Sequence, residues 1–138
     1  MWDKRESAVS AATPAAVWAV WADVEHWSAW NRGVKWSRRD GPFAAGTTGR
    51  VKPKLGPSSK FEITAYEEGA RWVITTFLPG ARLHIEHLLA TDAEGRTVVT
   101  YHGTISGPLA PVVGTLSRRQ LDGVVTAVHD VAAHAAAA

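Results

Sequence analysis

The sequence predicts an α+β fold: a curved, seven-stranded antiparallel sheet around a long C-terminal helix, with two short helices between strands 1 and 2. Three observations predict it. The segments run strand, two helices, six strands, helix, which is an α+β order rather than the alternation of a parallel sheet. Glycine and proline punctuate residues 34–106 at hairpin spacing. The last stretch returns to an apolar period of three to four residues. One helix cannot cover both faces of seven strands. The sheet must therefore curve to bury one face against it, and gaps at its mouth leave room for a cavity.

Each element has a local reason. Residues 3–11 read as a first strand, weakened by Ser7 and Ser10. Thr13-Pro14 starts a helix, with a hydroxyl N-cap and proline at the first helical position. Val17, Trp18, Trp21 and Val24 follow at helical spacing. Asp23 marks a break before a short helix with Trp27 and Trp30, ended by Asn31 and Gly33. Strands are expected at 33–40, 47–54, 60–66, 71–78, 81–91 and 96–106, between turns at Gly41-Pro42, Gly46, Gly56-Pro57, Gly69, Pro79-Gly80 and Gly95. The final helix is expected over 112–134, with Val124, Val128 and Val131 on its apolar face and a frayed tail from Ala135 to Ala138.

Composition bounds the function. The 138 residues fit one domain, 1–138. They are 46% hydrophobic and 20% charged, enough apolar content for a core. The absence of cysteine excludes disulfides, thiolate metal sites and a cysteine nucleophile. The stretch Met1–Glu6 has no apolar core of a signal peptide, and no apolar run nears the roughly 20 residues of a membrane span. A cytoplasmic protein with no membrane span is expected. A net charge of +2 does not by itself argue for nucleic acid. Five of seven tryptophans (Trp18, Trp21, Trp27, Trp30, Trp36) lie near the N-terminus, where they can serve as core or as an aromatic wall around an apolar ligand.

Matching apolar faces across the hairpins sets their registers. A two-residue Pro79-Gly80 turn puts Trp72 opposite His87 and Ile74 opposite Ile85. A three-residue loop with Gly95 left-handed puts His87 opposite Tyr101. A four-residue loop from Glu67 to Ala70 puts Ala65 opposite Trp72. The inward face then holds Phe61, Ile63, Trp72, Ile74, Leu83, Ile85, Leu89, Val99 and Ile105. One row across it reads Ala65, Trp72, His87, Tyr101, so two titratable groups sit side by side in an apolar wall, as in a binding pocket. The expected ligand-binding residues are these inward positions except Leu89 and Ile105, with His87 and Tyr101, and with Trp30, Trp36, Val124 and Val128. His87 and Tyr101 are the candidate catalytic pair. A structural His87–Tyr101 hydrogen bond is the bland alternative. Arg82, His84, Glu86 and His102 fall on the outer face, and no metal site or cofactor is expected.

Several stretches together resemble START-like (SRPBCC, Bet v 1-like) proteins of the polyketide cyclase/dehydrase group. They are Thr13–Trp18, Asp23–Asn31, Gly41-Pro42-Phe43 with Gly46, Leu83–His87, Gly95–Val99 and Gly107–Pro111. The resemblance implies a helix-grip fold with a deep hydrophobic cavity. It transfers no catalytic residue, because the group has no universal catalytic motif, and fold does not fix function. Three readings follow. The first is a protein that binds a small hydrophobic, lipid- or polyketide-like molecule. The second is a cyclase/aromatase-type enzyme promoting aldol cyclisation or dehydration, with His87 and Tyr101 as acid and base. The third is a chaperone-activator-like interaction module, for which the sequence shows no long apolar patch outside the core.

Residues 32–60 carry eight basic side chains (Arg32, Lys35, Arg38, Arg39, Arg50, Lys52, Lys54, Lys60) and one acidic, Asp40. Alternation makes this a solvated outer face or a docking surface for an acidic partner, such as a carrier protein presenting a tethered substrate.

Overall fold

In the computed structural model, which describes residues 1–137, the chain forms the expected sheet. Its strands are β1 (Asp3–Ser10), β2 (Val34–Arg39), β3 (Thr48–Pro53), β4 (Ser59–Glu67), β5 (Arg71–Leu78), β6 (Ala81–Thr91) and β7 (Thr97–Ser106). They lie in the order β1-β7-β6-β5-β4-β3-β2, every neighbour antiparallel. The edge strands β1 and β2 are joined by helix α1 (Pro14–Ala22) and a 3₁₀ helix, Val24–Ala29. Thr13 caps α1 by accepting from the Ala16 amide at 3.1 Å. The serines that weaken β1 as a pattern have partners. Ser7 meets Thr100 across the ladder, and buried Ser10 donates to the Ala132 carbonyl.

Two hairpins have the expected registers. Leu78 faces Ala81, Trp72 faces His87, and Gly80 is left-handed at φ 73°. His87 faces Tyr101, and Gly95 is left-handed at φ 81°. The third hairpin differs. Phe61 and Ile63 face Thr76 and Ile74 as expected, but the register then shifts, so Ala65 faces Val73 and Tyr66 faces Trp72. A bulge inserts one residue and re-aims those beyond it. The inward row is therefore Tyr66, Trp72, His87, Tyr101.

A second shift falls between Val34 and Trp36 in β2. Val34 and Ser37 are buried, Ser37 donating to the Val24 carbonyl, and Trp36 is turned outward at 38% exposure. Trp36 is thus no inward-facing residue.

The C-terminal helix starts earlier than expected and is bent. It comprises α2 (Ala110–Leu116), α3 (Arg118–Thr126) and α4 (Val128–Ala137), with breaks at Ser117 and Ala127. Pro111 lies in the first turn of α2, where its missing N–H costs nothing. The apolar stripe runs through Leu121, Val125, Val128, Val131, Ala132 and Ala135, and Val124 is turned out. Val125 takes the inward position because Gly103 opposite has no side chain. A Cβ there would lie 2.8 Å from Val125 and 2.4 Å from the Trp2 ring. Ala135 is buried, so the described part of the tail is packed helix; Ala138 lies outside the described residues. The core forms between this stripe, α1 and the 3₁₀ helix (Val17, Trp21, Val24, Trp27), and the concave face of the sheet.

Candidate functional site

The β4–β7 row sits under α1. His87 projects inward from the middle of β6 and is 6% exposed. Its ring stacks on Trp72 of β5, with centroids 3.8 Å apart and planes at 12°. Tyr101 of β7 meets it edge-on at 4.5 Å. Trp21 of α1 closes the top at 5.4 Å and 78°. The helical spacing that brings Val17 and Trp21 to one face of α1 drives this indole into the row.

The polar atoms are arranged unequally. The Trp21 indole N–H donates to the Tyr101 hydroxyl at 2.9 Å, and the Trp27 indole N–H donates to the Trp21 carbonyl at 2.9 Å. Three buried ring nitrogens have no hydrogen-bond partner among the described residues: His87 Nδ1, Trp72 Nε1 and Trp30 Nε1. The expected His87–Tyr101 pairing is an edge contact of rings, and the phenol's bond is to Trp21. Burial disfavours both charged forms. It lowers the His87 pKa to about 3, against a smaller opposing effect of backbone groups at Trp72 and Ile85. It holds the Tyr101 phenol well above its usual range, although the Trp21 hydrogen bond opposes this. At neutral pH both side chains are uncharged.

Aromatic rings fill the space around the row. Phe43 lies 4.9 Å from Trp72, Trp27 lies 6.1 Å from it, and Trp18 contacts Trp21, Phe43 and Tyr66. Trp18, Trp21, Phe43 and Tyr66 were not among the expected binding residues. The tryptophan cluster in the sequence pointed to the first two, while Tyr66 depends on the bulge. Of the expected residues, Phe61, Ile63, Trp72, Ile74, Leu83, Ile85, Val99 and Val128 are buried on the inward face, and Trp30 is half-buried beside them. Trp36 and Val124 are exposed and do not join them. Shallow concavities lie elsewhere, at the β5–β6 turn around Leu78, Gly80 and Gly107, and on α2 around Val112 and Leu116.

On the outer face His84 bridges Thr75 and Ser106, and His102 lies between Asp3 and Glu86. These histidines belong to separate polar networks. No group of three or more metal-ligating side chains stands together among the described residues.

A family model described as polyketide cyclase / dehydrase and lipid transport matches residues 1–136. The chain belongs to this family. Solved structures with the same fold include a norcoclaurine synthase point mutant from Thalictrum flavum in complex with a transition-state analogue. It is 11% identical with a TM-score of 0.75, and the match covers 97% of this chain and 93% of that one. A START superfamily protein from Mycobacterium smegmatis is 13% identical with a TM-score of 0.68, covering 96% and 97%. Ara h 8.0201 is 16% identical with a TM-score of 0.70, covering 99% of each. Sequence comparison with curated proteins gives no match. At these identities the structural likeness establishes the helix-grip fold of the polyketide cyclase family. No helix among the described residues is long and apolar enough to cross a membrane.

Proposed function

We propose that the protein binds a small, flat, mainly apolar molecule carrying an oxygen function, held in the aromatic cluster between α1 and the Tyr66-Trp72-His87-Tyr101 row. The observation that carries this reading is the set of buried ring nitrogens without partners, above all His87 Nδ1. An unpaired buried polar atom costs on the order of 1–3 kcal/mol, and a ligand oxygen at hydrogen-bond distance would remove that cost. The surrounding rings offer flat faces and edges, which suit a planar partner better than an acyl chain. Half-buried Trp18 and Tyr66 edge the cluster. The family description, which includes lipid transport, supports an apolar ligand. The norcoclaurine synthase of Thalictrum flavum, with the same fold, is solved with dopamine and hydroxybenzaldehyde, molecules of this size.

Cyclase-type catalysis would use His87 as base and Tyr101 as acid. A histidine whose pKa is near 3 is a weak base at neutral pH, and burial holds the Tyr101 phenol well above its usual range, which makes it a poor proton donor even though the Trp21 N–H bond to its oxygen opposes this. Recognition therefore ranks above turnover. The test is native mass spectrometry of the purified protein, followed by titration of the bound molecule against tryptophan fluorescence in the wild type and in His87→Leu. Leucine keeps an apolar volume and removes the ring nitrogens. The expected result is a loss of about tenfold or more in affinity for the oxygenated ligand. Equal affinity would remove His87 from the site, and turnover of a poly-β-keto substrate that His87→Leu abolishes would establish the enzyme.

A further inference from the structure

The antiparallel order brings the β3–β4 loop, the β5–β6 turn and the β7–α2 junction to one end of the sheet. That end has an unusual surface. Leu55 (80% exposed), Leu109 (48%), Val112 (51%) and Leu116 (81%) all stand out from it. The β3–β4 loop is tied to the first turn of α3, where the Gln120 side chain donates to the Leu55 carbonyl. Leu55 and Leu116 therefore flank the same junction.

Cations surround these side chains. Lys54, Arg118 and Arg119 lie in the loop and helix start, and Lys52 and Arg82 near the ends of β3 and β6, Lys52 held by the Pro53 and Gly56 carbonyls and Arg82 over the Phe77 ring; none of the five forms an ion pair among the described residues. The sequence has no Asp or Glu over 41–61, 69–85 or 95–121, stretches that contain the loop, turn and junction of this pole. The acids that reach it are engaged, Asp3 by His102 and Asp122 by the Trp2 indole.

We propose that this pole docks on an anionic lipid bilayer, its aliphatic tips entering the headgroup region and its lysines and arginines meeting the lipid charges. Exposed aliphatic side chains on separate elements, with cations beside them, match a surface that is anionic outside and aliphatic within. A second copy of the chain would set cations against cations. An acidic protein is the competing occupant, and it would leave Leu55 and Leu116 without a role unless it brought a groove for each. The docking needs no bound ligand, so its test is separate from that of the aromatic site.

The test is sedimentation with ligand-free protein and two kinds of vesicle, pure phosphatidylcholine and phosphatidylcholine with about one-third phosphatidylglycerol. The wild type is expected to sediment with the anionic vesicles at low salt, to be released as salt rises, and to ignore the neutral ones. Leu55→Ser/Leu116→Ser and Arg118→Glu/Arg119→Glu are each expected to bind about tenfold more weakly. Arg96→Gln, at the opposite end, is expected to bind like the wild type, and circular dichroism checks that all variants are folded. No binding of the wild type to anionic vesicles overturns the proposal. Retained binding of the leucine pair variant also overturns it, since the apolar tips would then not insert. Binding to a soluble acidic polypeptide without vesicle binding reassigns the pole to a protein partner and overturns it equally.

Discussion

At the scale of single residues, His87 makes stability depend on pH in a predictable direction. Its imidazole is buried neutral, and its pKa falls from 6.5 to about 3 on folding. Between these values the unfolded chain binds a proton that the folded chain does not. Stability from this group is therefore complete above pH 6.5 and is lost as pH falls towards 3, with a slope of roughly 1.4 kcal/mol per pH unit. Urea unfolding of the wild type and of His87→Leu at a series of pH values checks this. The difference between the two curves should change across that window and flatten above it. A parallel pair of curves would mean that the imidazole is hydrated in the folded state. The same burial fits the proposed role in recognition: at neutral pH the ring stays in one fixed, uncharged state.

At the scale of elements, Gly103 controls how the C-terminal helix seats. It lies opposite Ile85 on β7, and both the Trp2 ring and Val125 occupy the place its side chain would take. Gly103→Ala should destabilise the fold by roughly 1–3 kcal/mol through overpacking, read as a lower urea midpoint with an unchanged slope. A neutral substitution would show that α3 slides freely on the sheet. This contact also shows why the helix was only half legible in the sequence. Val124, Val125, Val128 and Val131 fit two apolar faces, and periodicity alone cannot choose between them. The hole at Gly103 makes the choice, and it exists only once strand and helix meet. Turns were legible for the opposite reason. Pro79-Gly80 and Gly95 constrain the backbone locally, so two hairpin registers and the Trp72-His87-Tyr101 part of the row follow from local chemistry. The bulges after Ile63 and Val34 leave no such mark. Their residues suit a regular strand equally well, and it is packing that turns Tyr66 towards Trp18 and Phe43 and Ser37 towards the Val24 carbonyl. How far aromatic rings fill the interior was likewise not legible, because it depends on the rotamers of Trp18, Trp21 and Phe43.

At the scale of the whole molecule, charge is divided between the two ends of the sheet. The end with the β4–β5 and β6–β7 turns carries Glu67, Glu68, Asp92 and Glu94, and Arg96 there pairs with both Asp92 and Glu94. Nearby Arg38 and Arg39 pair with Asp40 and Glu25. Of the eight cations over 32–60, those two and Arg32, bonded to Asp130, are thereby neutralised. The others form no ion pair among the described residues, and Arg50 sits between two like charges, facing Lys60 across β3–β4 and Arg38, itself paired with Asp40, across β2–β3. Like charges directly opposite are destabilising by a few tenths to about 1 kcal/mol per pair, whereas exposed ion pairs at the other end contribute about as little each. Lys35, Arg50, Lys52, Lys54 and Lys60 form no ion pair among the described residues, so longer-range repulsion adds to these two contacts, and the prediction is that it governs the response to salt. Raising ionic strength to about 0.15 M shortens the Debye length to ~8 Å and screens the repulsion, so the melting temperature should rise with added sodium chloride. Lys60→Glu would place an acid opposite Arg50. It should stabilise the fold by roughly 0.5–1 kcal/mol in low salt and weaken the salt dependence. Calorimetry of both proteins across a salt series decides the matter: a melting temperature that falls with salt in the wild type would mean that the ion pairs at the acidic end outweigh the basic pole.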